Sequence, residues 1–207
     1  MKTIGRLAIL SFGILACARA TSVGQSNDGW IPLFDGQTLN GWRVNENPAT
    51  FSVANGEIVV HGPTAHMFYD GPVLNHQFKD FELKVDVLTK PGANSGVYVR
   101  TAFQPTDWPS NGYEVQVNNS HTDWRRTGSL YAVRDIRESM KDNEWFTLHT
   151  IVQGRRVQIF INERQVVDYT EPDTSKTRLT GSTIALQGHD PNSEVHYRNI
   201  FIKPLSP

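Results

Sequence analysis

Apolar Phe81, Leu83, Val85 and Val87 alternate with polar Glu82, Lys84 and Asp86. A two-residue period presents one face of a strand to a core and the other to water. The pattern recurs along the chain, and no segment carries a sustained 3.6-residue apolar period. Strands are therefore expected at 30–34, 51–54, 57–60, 95–101, 112–118, 129–133, 145–153, 156–162, 165–169, 183–187 and 194–203. Asn55-Gly56 reads as a tight hairpin turn, and Gly154-Arg155 as a second. Many short strands with Gly, Pro and Asn turns predict an all-β two-sheet sandwich. At 207 residues, the chain has room for one domain with a sizeable core.

The first twenty residues read as a separate object. Lys2 and Arg6 precede an apolar run from Leu7 to Ala18. That run suits a signal-peptide core and is short for a membrane span. Ala18-Arg19-Ala20 fits the small-x-small cleavage pattern, so residues 1–20 are expected to be a signal peptide and 21–28 a short tail. The expected destination is periplasmic or extracellular. Cys17, the one cysteine, lies in this segment, so a chain cleaved after Ala20 has no disulfide, thiol nucleophile or zinc–thiolate site. Ile14-Leu15-Ala16-Cys17 offers the alternative of a lipid anchor at Cys17. Loss of Lys2, Arg6 and Arg19 takes the net charge from −1 to about −4. Neither value attracts nucleic acid or an anionic membrane.

Chemistry is sought in the polar stripes. In GYEVQVNN, residues 112–119, Tyr113, Val115 and Val117 share one side, and Glu114, Gln116 and Asn118 the other. In strand 95–101, Gly96, Tyr98 and Arg100 share a face. If these strands are neighbours, Arg100 falls beside Glu114 or Gln116, placing a cation, a carboxylate and amides on one surface. A solvated sheet face gives the same pattern without function. Of the seven histidines, no pair has helical zinc spacing. His189 stands out in Gln187-Gly188-His189-Asp190, at a strand end where Asp190 can orient it. His121 follows as second choice. Trp42, Trp108 and Trp124 are candidate platforms for a sugar ring, with core packing as their other use. Nucleophile elbows and phosphate-binding loops are absent.

Several phrases, in order, resemble the 3-keto-disaccharide hydrolase domain family. They are Trp30-Ile31-Pro32-Leu33-Phe34-Asp35-Gly36 running to Asn40-Gly41-Trp42, Asn94-Ser95-Gly96-Val97-Tyr98-Val99-Arg100, and Tyr113-Glu114-Val115-Gln116. Thr127-Gly128-Ser129-Leu130-Tyr131, Glu144-Trp145-Phe146, Ile184-Ala185-Leu186-Gln187-Gly188-His189 and Tyr197-Arg198-Asn199-Ile200 follow. The resemblance spans about residues 29–205. It implies a concanavalin A-like β-sandwich, a jelly roll of two curved antiparallel sheets, in an exported bacterial protein. It implies cleavage of glycosides whose sugar carries a ketone at C3. It carries over Arg100, Glu114, Gln116 and His189 as site positions. Two departures stand out: Asn162-Glu163-Arg164 where the family often has Asn-Gly, and a longer loop over 190–194 beside His189.

Such a substrate needs one base rather than the paired carboxylates of ordinary glycosidases. The ketone acidifies C2–H; a base removes that proton, the enolate expels the C1 oxygen, and water adds back. Glu114 or His189 is expected as base, the other as acid. Arg100, Gln116 or a bound divalent cation would hold the enolate. Asp86, Glu114 and Asn118 offer oxygen ligands for calcium, with hydrogen bonding as their competing use; no cofactor is required. Tyr98, Asn118, His121 and the three tryptophans complete the expected substrate contacts. Two other readings stand: a non-catalytic carbohydrate-binding module on the same sandwich, and a conventional glucanase in which Asp86 supplies the second carboxylate.

Overall fold

The computed structural model describes residues 28–173 and 176–206. The expected signal peptide, almost all of the tail and Cys17 lie outside the described residues. The strands are β1 Ile31–Pro32, β2 Trp42–Val44, β3 Phe51–Ala54, β4 Glu57–His61, β5 Ala65–Tyr69, β6 Phe81–Thr89 and β7 Ser95–Thr101. They continue with β8 Tyr113–Val117, β9 Phe146–Gln153, β10 Arg156–Ile161, β11 Arg164–Thr170, β12 Thr183–Gly188 and β13 Glu194–Pro204. The helical elements among the described residues are two 3-10 turns, Pro48–Thr50 and Val73–His76. None is a helix long and apolar enough to cross a membrane.

Two antiparallel sheets form the sandwich. The larger runs β11-β10-β9-β6-β13-β4-β3, with β1 on β13; the smaller runs β2-β5-β12-β7-β8. Alternation is what buries the core between them. Phe81, Leu83, Val85 and Val87 from β6 meet Tyr113, Val115 and Val117 from β8 in one apolar cluster. Glu114 and Gln116 consequently face the outside of the smaller sheet, the side that carries the site.

Three strand expectations need correction. β2 and β5 were not legible. In β5 every residue is buried: Ala65, Met67 and Tyr69 join the core, while Phe68 joins a second cluster on the outer face. A strand covered on both faces shows no alternation. Residues 129–133 are not a strand. Leu130 makes isolated bridges to Val115 and Arg134, and the chain turns at Gly128 (φ 86) and Ala132 (φ 57).

Asn55 and Gly56 have φ of 54 and 81 and close the β3–β4 hairpin as expected. Asn162 and Glu163 adopt the same left-handed pair, φ 46 and 68, between β10 and β11. Glu163 has no business there sterically, because its Cβ crowds the backbone in this region. Glu163→Gly is expected to raise unfolding free energy by about 0.5–1 kcal/mol, read from a denaturant midpoint. An unchanged midpoint would mean the turn carries no strain.

Candidate active site

The pairing of β7 with β8 sets Tyr98 opposite Glu114 and Gly96 opposite Gln116. β12 lies on the other side of β7 and contributes Gln187, whose partner on β5 is His66. Trp108 and Pro109, Asp123, Tyr131 and Ala132, and Arg178 come from three connecting segments to this outer face. They enclose a cleft of about 460 Å³ whose lining includes Asn94, Glu114, Gln116, Asp123, Arg178 and His189.

Glu114 sits in the floor. Tyr98 Oη donates to its Oε2 at 3.0 Å and Gln187 Nε2 to its Oε1 at 2.9 Å. Burial pushes its carboxyl up to about 7; the two hydrogen bonds oppose that shift, the Asp123 charge adds to it, and Arg178 opposes it. Near neutral pH this carboxyl can therefore take or give a proton. Burial, followed by the Glu114 charge, keeps the Tyr98 phenol protonated. Gly96 makes room for all this. A Cβ there would stand 2.5 Å from Glu114 Oε1. Gly96→Ala is expected to displace the carboxylate and lower turnover by about 10²-fold, the usual result of ångström-scale misplacement. Unchanged turnover would show that the Glu114 position is not critical.

At the rim, His189 Nδ1 lies 2.8 Å from Asp190 Oδ2. Asp190 also accepts from Ser193 Oγ and the Asn192 amide. Burial pushes Asp190 up, yet the hydrogen bonds from Ser193, His189 and Asn192 outweigh it and hold it below the usual carboxylate range. An ionised acceptor makes His189 Nδ1 the donor and leaves Nε2 for chemistry. His121 packs against His189 with ring centroids 5.4 Å apart. Its Nδ1 accepts the Asp123 amide at 3.1 Å, and burial lowers its pKa, with the His189 charge adding to that shift. Asn94 links the groups: Gln116 Nε2 donates to Asn94 Oδ1 at 3.1 Å, and Asn94 Nδ2 lies 3.4 Å from His121 Nδ1.

Residues 29–203 match the 3-keto-alpha-glucoside-1,2-lyase-like domain family. The chain belongs to that family. A curated relative, the 3-keto-disaccharide hydrolase of Bacteroides thetaiotaomicron, is 26% identical over 170 residues, 69% of this chain and 59% of the relative. The chain thus spans about three-fifths of that protein's length. A Parabacteroides distasonis structure described as a candidate glycosyl hydrolase superposes with a TM-score of 0.71 at 20% identity, covering 86% of this chain and 94% of the other. The carbohydrate-binding module CBM66 of Bacillus subtilis superposes at 0.60 and 14% identity, covering 79% and 95%. These likenesses establish a β-sandwich shared by hydrolase-type and sugar-binding proteins.

Within this lyase-like domain, Tyr98, Trp108, Glu114, Gln116 and His189 line the cleft, and His121 flanks it. Arg100 does not. It is the extra residue of a bulge, since β12 pairs Thr183 with Thr101 and Ile184 with Val99. Its φ of 54 re-aims the side chain. The guanidinium donates to the carbonyls of Gly181 and Lys79, each at 2.8 Å, and of Leu179 at 2.5 Å. Asn118, fully buried, ties down the following loop: its amide donates to the Asp123 and Arg125 carbonyls at 2.9 and 2.8 Å. Trp42 donates to the Leu33 carbonyl at 2.9 Å and packs edge-on against Tyr69. Trp124 is stacked by Arg125 and Arg137, 4.8 and 4.1 Å from its ring, outside the cleft lining.

Asp86 lies on the opposite sheet, held by Thr147 Oγ1 at 2.7 Å and Asn199 Nδ2 at 2.8 Å. The calcium set of Asp86, Glu114 and Asn118 is therefore not assembled, and Asp86 is not a second carboxylate for Glu114. His121, His189 and Asp190 do bring potential ligand atoms within 4.8 Å of one another. Sequence reasoning missed Asp123 and Arg178, which come from irregular loops without periodicity, and Tyr131, which stands in a quoted family phrase but was not assigned to the site. It also passed over Gln187 and His66 as site residues, although Gln187 stands within the quoted Gln187-Gly188-His189 phrase.

Proposed function

We propose that this chain cleaves glycosides bearing a ketone at C3 of the sugar, by elimination and rehydration. The observation that carries this reading is Glu114, a buried carboxyl brought to about 7 that lines one cleft with His189, itself paired with Asp190. Glu114 takes the C2 proton, and the C–H electrons form the enolate with the C3 oxygen. Arg178, the cation of the cleft lining, and the Gln116 amide stabilise that oxygen. The enolate then re-forms the ketone, C1=C2 forms, and the C1–oxygen bond breaks. The His189 imidazolium, held through Nδ1 on Asp190, gives its Nε2 proton to the departing oxygen. Water next adds its hydroxyl to C1, its remaining proton passes to His189 Nε2, and the Glu114 proton returns to C2.

A second reading has one observation in its favour. Asp123 lines the same cleft, so Glu114 and Asp123 bring to it the two carboxyl groups an ordinary glycosidase uses. Asp123 is, however, engaged by the Arg125 amide at 3.0 Å and by the Arg125 guanidinium at 3.5 Å.

The test mixes purified protein with a glucoside and with its 3-keto form, with and without chelator. Turnover of the keto form alone is expected, lost in both Glu114→Gln and His189→Ala. Full activity in both variants would put the site elsewhere. Turnover of the plain glucoside would favour the Glu114–Asp123 pair. Binding of sugar without turnover would favour a carbohydrate-binding module. Loss of turnover on chelation would give enolate stabilisation to a cation at His121, His189 and Asp190.

A further inference from the structure

His66 is fully buried at 0% exposure, on the site-bearing face of β5. Neither of its ring nitrogens has a hydrogen-bond partner among the described residues. Its ring packs against Tyr98 and Trp108, with centroids 5.5 and 5.2 Å away. Burial, with the His189 charge adding to it, pushes its pKa down to about 4. At neutral pH the imidazole is therefore uncharged, with one donor and one acceptor. Leaving both unpaired costs more than placing an apolar ring in the same space. The β5–β12 register pairs Gln187 with His66, and Gln187 Oε1 is likewise buried without a partner. Unpaired donors and acceptors grouped beside a cleft suit a ligand rich in hydroxyls.

Trp108 packs on the His66 ring. Its own side is 46% exposed, and its ring also touches His189, with centroids 5.5 Å apart. The loop around it is braced from within by Gln104, which donates to the Thr106 and Trp108 carbonyls at 2.6 and 2.9 Å. Its polar ties to the neighbouring segment 45–46 are the Asn45 amide on the Gln104 carbonyl and the Asp107 amide on Glu46, each 3.2 Å. A unit braced internally and tied thinly outside can shift as a whole.

We propose that Trp108 covers an inner compartment of the cleft where His66 and Gln187 bind the hydroxyls of the leaving sugar. The assignment to the leaving group rests on the elimination reading, because Trp108 bridges His66 to the histidine that protonates the C1 oxygen. The compartment accords with the sugar leaving group of the disaccharides for which the curated relative is named. A ring entering it stacks on the displaced Trp108 and gives His66 the partners it lacks.

The test uses calorimetric binding in a Glu114→Gln background, so that substrate stays intact. The probes are 3-ketotrehalose, whose leaving group is glucose, and methyl 3-ketoglucoside, whose leaving group is methanol. Adding His66→Phe is expected to weaken 3-ketotrehalose binding by about tenfold or more and to leave the methyl glycoside unaffected. The melting temperature should hold or rise, because two unpaired polar atoms are removed; a merely structural histidine would lower it. The His66 ring nitrogen resonances should shift with 3-ketotrehalose alone. Equal losses for both sugars, no loss for either, or no binding of 3-ketotrehalose would overturn the proposal. If His66→Phe fails to fold, His66→Leu makes the same comparison. Turnover by the unmodified protein is scored separately: absence of cleavage defeats the elimination reading, while the binding comparison still decides the role of His66.

Discussion

Glu114→Gln is expected to lower turnover of a 3-keto glycoside by about 10²–10⁴-fold, the usual worth of a positioned base, while making the folded protein more stable above neutral pH. Both effects come from one carboxyl. Its pKa of about 7 in the fold exceeds the ordinary 4.5. Between those values the native state holds a proton that the unfolded chain has released. Stability from this group is thus complete below about 4.5 and is lost as pH rises through about 7. The loss amounts to about 3 kcal/mol. Glutamine cannot ionise, so the variant should match the parent near pH 4 and exceed it near pH 8. The replacement also fits locally. Gln187 Nε2 can still donate to the amide oxygen, and the Tyr98 hydroxyl can accept from its NH₂.

Denaturation midpoints across pH, beside a rate profile, check this pair of effects. The parent's kcat/KM should gain activity through a limb near pH 7 as Glu114 ionises. A stability difference of the same size at pH 4 and pH 8 would show that Glu114 titrates normally. Full turnover in the variant would remove Glu114 from the reaction.

Arg100→Met is expected to act in the opposite way. It should destabilise the fold by about 3 kcal/mol, because hydrogen bonds from charged donors are worth more than neutral ones and their loss leaves acceptors unpaired. For a chain of this size that is a fall in Tm of about 6–12 °C. The three carbonyls it serves belong to Lys79, Leu179 and Gly181, so the damage begins in the loop that carries Arg178. Turnover per folded molecule at low temperature should stay within about twofold. A normal Tm with lost turnover would instead return Arg100 to the substrate. The two variants together test whether Glu114 reacts and Arg100 only holds the wall.

Arg100 shows why pattern reading reached its limit where it did. The alternation in Ser95–Thr101 is genuine through Tyr98, and Tyr98 does meet Glu114. One extra residue in a bulge ends the face before Arg100, and no local signal marks that insertion. The cation expected in the cleft comes instead from Arg178, in a segment with neither alternation nor helical period. Asp123 enters from another such segment, held by Asn118 and by the Arg126 guanidinium, which donates to the Asp123 carbonyl at 2.5 Å. Asn118 was expected to touch substrate; its amide ties down the loop that brings Asp123 into the cleft lining.

Strand periodicity and turn residues determine the class of this protein: an all-β sandwich with Glu114 and Gln116 facing away from the core. That much is local, because side-chain direction in a strand repeats every two residues. The family phrases add His189. Tertiary structure alone decided which groups share the cleft, because bulges, loop closures and strand order act over long sequence separations. It drew Arg100 aside, brought in Arg178 and Asp123, and raised the Glu114 pKa by burial. It also buried His66 against Tyr98 and Trp108, on a strand covered on both faces that leaves no alternation to read.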